Sequence, residues 1–278
     1  MAIPILRFWK KYFENLDEGM GSTYERFIIN EILFKAVEDY KIKSVLETPS
    51  FGFTGLSGIN SLGLALEGIS VSINDSDLRR LKLIKEIWAT FDTDVSSDFI
   101  EDFGELPYEA NSFDMVWNFS AMWFVNDLDK FLNEMSRISR KLILIMVPNR
   151  TGLGYLHQKY TGSNDLKNKL NEEHIKPENF VKPLEKLGWK LMHDSLIDCP
   201  LWPDIGMSKE DFLKKLGLSF LVKKDAVAKP PLTILDYYTG KAPDMKDRLL
   251  KLDLFERHAP ILFKKIWAHH HYYLFLKQ

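Results

Sequence analysis

Short apolar runs alternate along this chain with stretches whose apolar residues recur at helical spacing. The runs at residues 43–47, 70–74, 97–100, 113–119 and 141–147 have the length and composition of strands. Between them, residues 59–66, 78–90 and 128–139 read as helices. In the second of these, Leu81, Ile84, Ile87 and Trp88 fall on one face. This alternation predicts an α/β fold: a parallel sheet with helices on both faces. Right-handed crossovers would gather the post-strand loops on one rim, where ligands bind beside the reversal of strand order.

The flanks are less regular. Ile3, Leu6, Phe8, Trp9, Tyr12 and Phe13 form an approximate helical stripe, which Gly19 and Gly21 are expected to end. The stripe reads as a helix packed on the domain, with a lid or a membrane-surface helix as the alternative. Ser22 and Glu25 then have capping-box spacing, and the helix they predict carries Phe27, Ile28, Ile32, Leu33 and Val37 toward a core. Beyond Pro148, residues 177–187 read as a helix, 189–197 as a strand and 266–276 as a terminal strand. Residues 200–260 hold six of the twelve prolines, too many for long regular elements, and read as a cap over the rim. The expected organisation is an N-terminal helical extension, residues 1–40, and one domain, residues 41–278, with the cap inserted at residues 200–260.

Composition narrows the partners. With 278 residues, 45% of them apolar, the chain can fill one large core. A net charge of −2 and the lack of a dense basic block argue against nucleic acid; Lys214-Lys215 and Lys223-Lys224 read as solvated surface. The single cysteine, Cys199, forms no intrachain disulfide and suits a reducing compartment. No apolar run approaches the roughly 20 residues that span a bilayer. Arg7, Lys10 and Lys11 interrupt the apolar N-terminus, which therefore does not read as a secretory signal. A cytoplasmic enzyme is expected.

Four features fall at the ends of successive strands. The loop from Glu47 to Gly58, with Gly52 and Gly55 inside it, precedes a helix; glycines let backbone approach a ligand closely, though such loops also serve as plain turns. Asp75 ends the second strand, where a carboxylate can accept both hydroxyls of a ribose, or Asp75, Ser76 or Asp77 can cap the next helix. Asp102 and Phe103 follow the third strand, where a carboxylate beside a backbone N–H suits the edge of adenine. Asn118 and Phe119 end the fourth strand on the same rim.

Val45 to Glu47, Gly55 to Gly58, Asp75, Asp102 with Leu106-Pro107, Phe113-Asp114 and the helix through Glu134-Met135 and Arg137 together resemble the class I S-adenosylmethionine (SAM)-dependent methyltransferases. The resemblance covers residues 45–148 well and the rest in outline. It implies a Rossmann-like, seven-stranded, mostly parallel sheet whose last strand is antiparallel. It also implies SAM as cofactor. Glu47 would anchor the first loop near the methionine amine, with the backbone of Gly52 and of Gly55 to Gly58 close to the cofactor. Asp75 would hold the ribose, Asp102 and the Phe103 backbone would read adenine, and Asn118 and Phe119 would flank the sulfonium. Pro49 and Phe51 stand where the family has glycines unless residues are inserted before Gly58.

Methyl transfer from a sulfonium is an in-line displacement that relies on positioning and exclusion of water, so a missing catalytic constellation does not argue against it. Acceptor-side candidates are Tyr24, Trp123, Asn149, Tyr155 and His157, with a small-molecule acceptor expected. Trp123 serves at least as readily as core, and His157 reads more simply as a surface histidine. His269, His270 and His271 invite a metal reading, but neighbours in a strand point to opposite faces, and no metal is expected. A nicotinamide-dependent oxidoreductase would need a clean dinucleotide glycine fingerprint, which the first loop lacks. A methyltransferase-like binding scaffold without activity is the other alternative, and Pro49 and Phe51 are its support.

Overall fold

The computed structural model describes residues 5–52, 55–93, 95–161, 170–200 and 231–278. Seven strands make one sheet: β1 (Ser44–Glu47), β2 (Ser70–Asp75), β3 (Ser96–Phe99), β4 (Phe113–Phe119), β5 (Ser139–Pro148), β6 (Trp189–Ile197) and β7 (His270–Lys277). Their order is β3-β2-β1-β4-β5-β7-β6. The first five pair in parallel, and β7 runs antiparallel between β5 and β6. The order reverses between β1 and β4, which makes the loops after these strands the expected ligand site.

The central strands β1, β4 and β5 are almost wholly buried because both faces are covered. On one face Met115, Trp117, Leu144 and Met146 pack against α2 (Gly19–Tyr40) and α4 (Leu78–Ala89) through Phe27, Leu33, Ile84 and Trp88. On the other, Val116, Ile143, Ile145 and Val147 meet Phe131, Leu132 and Met135 of α5 (Leu128–Ile138). Trp9 of α1 (Ile5–Asn15) joins this second core. Between β1 and β2 lies the short α3 (Leu62–Leu66), and α6 (Leu153–Thr161) follows β5. After it come α7 (Val181–Lys186), α8 (Ile234–Tyr238), α9 (Met245–Leu250), α10 (Leu254–His258) and α11 (Ile261–Trp267).

Several boundaries differ from expectation, each for a local reason. Gly19 opens α2 instead of ending a segment, and Ser22 and Glu25 lie inside that helix without forming a capping box. Glu18 stands at the N-cap position, but its carboxylate is drawn to Arg26 and the Leu56 N–H. The helix expected at residues 59–66 begins only at Leu62, after a turn that Gly58 enters with φ +71°. Residues 177–187 split into a 3-10 turn and α7. Ile266 and Trp267 end α11 rather than starting the last strand, because Trp267 stacks on Phe263 and meets Phe255 edge-on. Of the expected cap, residues 201–230 lie outside the described residues, and residues 234–258 supply α8, α9 and α10.

Candidate active site

The loop after β1 is tied to its surroundings at both ends. The Thr48 N–H donates to the Trp117 carbonyl at 2.9 Å, the Ser50 N–H to the Asn74 carbonyl at 2.8 Å, and the Gly58 N–H to the Ser50 carbonyl at 3.0 Å. Glu47 is fully buried and accepts from Asn60 Nδ2 at 2.9 Å and from the Ser61 hydroxyl at 2.7 Å. Burial pushes its carboxyl up to about 7, against the pull of these donors and of Arg26. Arg26 lies between Glu18 and Asn60 and donates to the Leu56 carbonyl at 2.7 Å. A buried relay Glu18–Arg26–Asn60–Glu47 thus joins α2 to the loop. Sequence reading missed it, since no local spacing links a helix residue to a loop so distant in the chain.

The close approaches of the glycines are partly to the protein itself. A Cβ on Gly55, at φ +81°, would meet the Arg26 guanidinium at 2.9 Å, and one on Gly58 would meet Ile84 at 2.6 Å. Gly52 instead faces the end of β4, where an added Cβ would stand 3.0 Å from the Phe119 carbonyl oxygen.

Asp75 ends β2, as expected, but its carboxylate is engaged. Arg80 Nε donates to Oδ2 at 2.6 Å, Arg80 Nη2 donates to Oδ1, and the Asp77 N–H donates to Oδ1 at 2.8 Å. Burial raises the Asp75 pKa against these donors. Asp77, not Asp75, caps α4, accepting from the N–H groups of Arg79 and Arg80. The Arg80 guanidinium lies 4.7 Å from the Phe51 ring centroid and 5.5 Å from that of Trp9. Phe103 meets Phe51 edge-on at 6.3 Å. Asp102 is exposed and accepts from the Gly104 N–H at 2.9 Å.

Side chains from β4 diverge. Asn118 reaches toward Met135 on the α5 face, while Phe119 lies on the α2 face with its ring 4.6 Å from that of His270. Buried polar atoms without a hydrogen-bond partner cluster on the rim: Thr48 Oγ1, Ser50 Oγ and Ser57 Oγ after β1, Asn74 Oδ1 at the end of β2, and Asn118 Oδ1 and Ser120 Oγ at the end of β4.

The acceptor-side candidates do not converge. Tyr24 is buried on the α2 face with its hydroxyl unpartnered. Trp123 is buried in the opposite core, its Nε1 donating to the Ser120 carbonyl at 2.9 Å, and Tyr155 packs half-buried against the same core. The Asn149 amide ties β5 to α11 by donating to the carbonyls of Lys265 and Ala268. His157 is half-buried on α6. Beside Phe119, however, the start of β7 forms a cluster that sequence reading did not foresee. Glu25 of α2, Asp198 after β6 and His270 bring one ligand atom each within 4.8 Å of one another. His269 Nδ1 lies 2.7 Å from Asp198 Oδ2, whereas His271 turns away to Asp194. Burial pushes His270 down to about 4 despite the nearby Asp198 charge.

Comparison with known proteins places this geometry. A family model described as a methyltransferase domain matches residues 57–143, from the glycine loop into β5. No curated protein matches the chain. Among solved structures, the MccD protein superposes with a TM-score of 0.51 at 14% identity, over 89% of this chain and 96% of that one. A Galdieria sulphuraria protein assigned as a sarcosine dimethylglycine methyltransferase gives 0.50 at 14% identity, over 91% of this chain and 85% of the other. At such identities these structures speak for the fold alone. Residues 57–143 match a methyltransferase domain, and with the sheet order and the antiparallel β7 the chain has the Rossmann-like fold of the class I SAM-dependent methyltransferases, which it resembles.

Proposed function

We propose that the chain transfers the methyl group of SAM to a small-molecule acceptor, with the cofactor held by the loops after β1, β2, β3 and β4. The observation that carries this reading is the row of unpartnered buried polar atoms on the rim, from Thr48 and Ser50 to Asn118 and Ser120. A buried polar atom without a partner costs free energy, so a cluster at the switch point suits a polar ligand. When bound, SAM supplies an electrophilic methyl group. Glu47 would orient the methionine amine, and Asp75 would accept the ribose hydroxyls once Arg80 releases it. Asp102 and the Phe103 backbone would read the adenine end, and the backbone at Gly52, Asn118 and Phe119 would flank the sulfonium. The Gly55 to Gly58 segment sets the course of the loop by packing on Arg26 and Ile84.

A small acceptor is supported by enclosure. The helices after residue 230 pack on α2 near Tyr24, with Asn30 Nδ2 donating to the Tyr238 hydroxyl at 2.6 Å. The net charge of −2 adds no support for nucleic acid. Among the described residues, no helix is long and apolar enough to cross a membrane. The lone Cys199 suits the reducing cytoplasm.

One observation favours the second reading, a methyltransferase fold that binds without catalysing: Arg80, Trp9 and Phe51 already fill the approach to Asp75. Calorimetric titration with SAM, S-adenosylhomocysteine and NAD separates the two. Binding of the first two at micromolar concentration, with none of NAD, upholds the proposal and opens a screen of acceptors. No binding of either adenosyl compound overturns it in favour of the scaffold.

A further inference from the structure

The cluster at the start of β7 is assigned no part in holding the cofactor. His270 Nδ1 lies 3.5 Å from Glu25 Oε2 and 3.9 Å from Asp198 Oδ2. These are too long for good hydrogen bonds, and His270 Nδ1 is buried without a hydrogen-bond partner. A metal bound by nitrogen and oxygen at about 2.0–2.2 Å with tetrahedral geometry sets its ligand atoms about 3.4 Å apart. The two distances from His270 Nδ1 are close to that spacing, and the three ligand atoms all lie within 4.8 Å of one another.

We propose that Glu25, Asp198 and His270 form a binding site for one divalent transition-metal cation, of which zinc is the best match. Two carboxylates and one imidazole are a ligand set that zinc accepts, and three protein ligands leave a position open to water or to an acceptor oxygen. The second observation is the orphaned, buried imidazole nitrogen of His270, joined by the unpartnered, buried hydroxyl of the adjoining Tyr24. His269 completes the arrangement: its Nδ1 bonds Asp198 Oδ2 at 2.7 Å and so orients this carboxylate, as outer partners of metal ligands commonly do. Strand alternation still holds, because His271 points to the other face and bonds Asp194; His269 reaches the site because it precedes the strand.

The position gives the ion a use. His270 lies against Phe119 with the ring centroids 4.6 Å apart, and Phe119 ends β4 at the switch point, so the site borders the rim where the proposed acceptor would bind. A cation there would hold an oxygen-bearing acceptor, a hydroxyl or a carboxylate, and lower the pKa of a bound hydroxyl. This use rests on the proposed methyl transfer, whereas the metal site itself does not.

The test uses the full chain stripped with a chelator, titrated with Co(II) while visible absorption is recorded, and with Zn(II) by calorimetry. One equivalent of Co(II) with d–d bands, displaced by Zn(II), is the expected result. His270→Asn and Glu25→Gln should each weaken binding at least tenfold, while His193→Asn, on the neighbouring strand, leaves it unchanged. Should a variant fail to fold, protection of His270 in the wild-type chain by Zn(II) against diethylpyrocarbonate, read by mass spectrometry, replaces it. The proposal is overturned if the stripped wild type binds neither ion stoichiometrically, if the double variant His270→Asn, Glu25→Gln binds as tightly as the wild type, or if Zn(II) leaves His270 unprotected. Calorimetry with SAM on the same stripped protein reports separately on the cofactor site, so either idea can fail without the other.

Discussion

Arg80 holds Asp75 through two of its nitrogens, with Nε 2.6 Å from Oδ2, at the carboxylate proposed to accept the ribose of SAM. Both side chains are buried, so removing either partner strands a charge, at a cost of about 3–5 kcal/mol. Asp75→Asn is therefore expected to lose SAM binding and to lose stability as well. The double variant Asp75→Asn, Arg80→Met removes both charges and should recover most of the stability in urea unfolding, but not SAM binding. A double variant that binds SAM like the wild type would place the ribose elsewhere.

Trp9 lies over the same guanidinium, 5.5 Å from it, and meets Phe13 edge-on at 5.7 Å. If the ribose must displace Arg80, α1 has to yield, and the free energy of opening subtracts from SAM affinity. Trp9→Ala removes a buried ring, which costs about 3 kcal/mol or more of stability, yet it should tighten SAM binding several-fold in calorimetry. Weaker binding in that variant would make Trp9 part of the cofactor wall rather than an obstacle to it.

Glu47 predicts a pH dependence with a definite sign. Its folded carboxyl is pushed up to about 7, above the ordinary 4.5, mainly by burial. The folded state thus holds the proton more tightly than the unfolded chain. Its contribution to stability is fully present below about 4.5 and is lost as pH rises to about 7, by up to ~3 kcal/mol. Glu256 is raised to about 7 as well, so the comparison must be made between variants at the same pH. Urea unfolding at pH 5 and pH 8 should show a smaller loss for Glu47→Gln than for the wild type. Equal losses would locate the titration in another group.

The central strand β4 was legible in the sequence because its mostly apolar run is buried on both faces, and the edge strand β6 also falls on the expected residues. Asp75 was legible as a position, since strand end and helix cap are both local signals. Its partner was not, because an arginine five residues on reads as a solvated helix residue until Trp9 and Phe51 cover it. The Glu25–Asp198–His270 cluster was illegible for a related reason: α2, the end of β6 and the start of β7 meet only through the antiparallel insertion of β7. Of the glycines, Gly52 approaches the end of β4, whereas Gly55 and Gly58 pack on Arg26 and Ile84.

Gly58 gives the sharpest test of that division. Its φ of +71° is a conformation that residues with a Cβ rarely adopt, and the added carbon would lie 2.6 Å from Ile84 Cδ1 and 2.9 Å from Cγ2. Ile84 is fully buried and its neighbour Trp88 donates to the Gly58 carbonyl at 2.8 Å, so neither the turn nor α4 can move away freely. Gly58→Ala should cost about 2 kcal/mol or more in urea unfolding, combining left-handed strain with overpacking. Ile84→Val removes Cδ1, one of the two closest atoms, and alone should cost about 1 kcal/mol. Placed together the two should cost less than their sum, because the valine relieves part of the clash that the alanine makes. Strict additivity would mean that the strain resides in the backbone alone. At Gly68, where φ is +82° and a Cβ meets nothing within 4 Å, Gly68→Ala isolates that backbone term and should cost only about 1 kcal/mol.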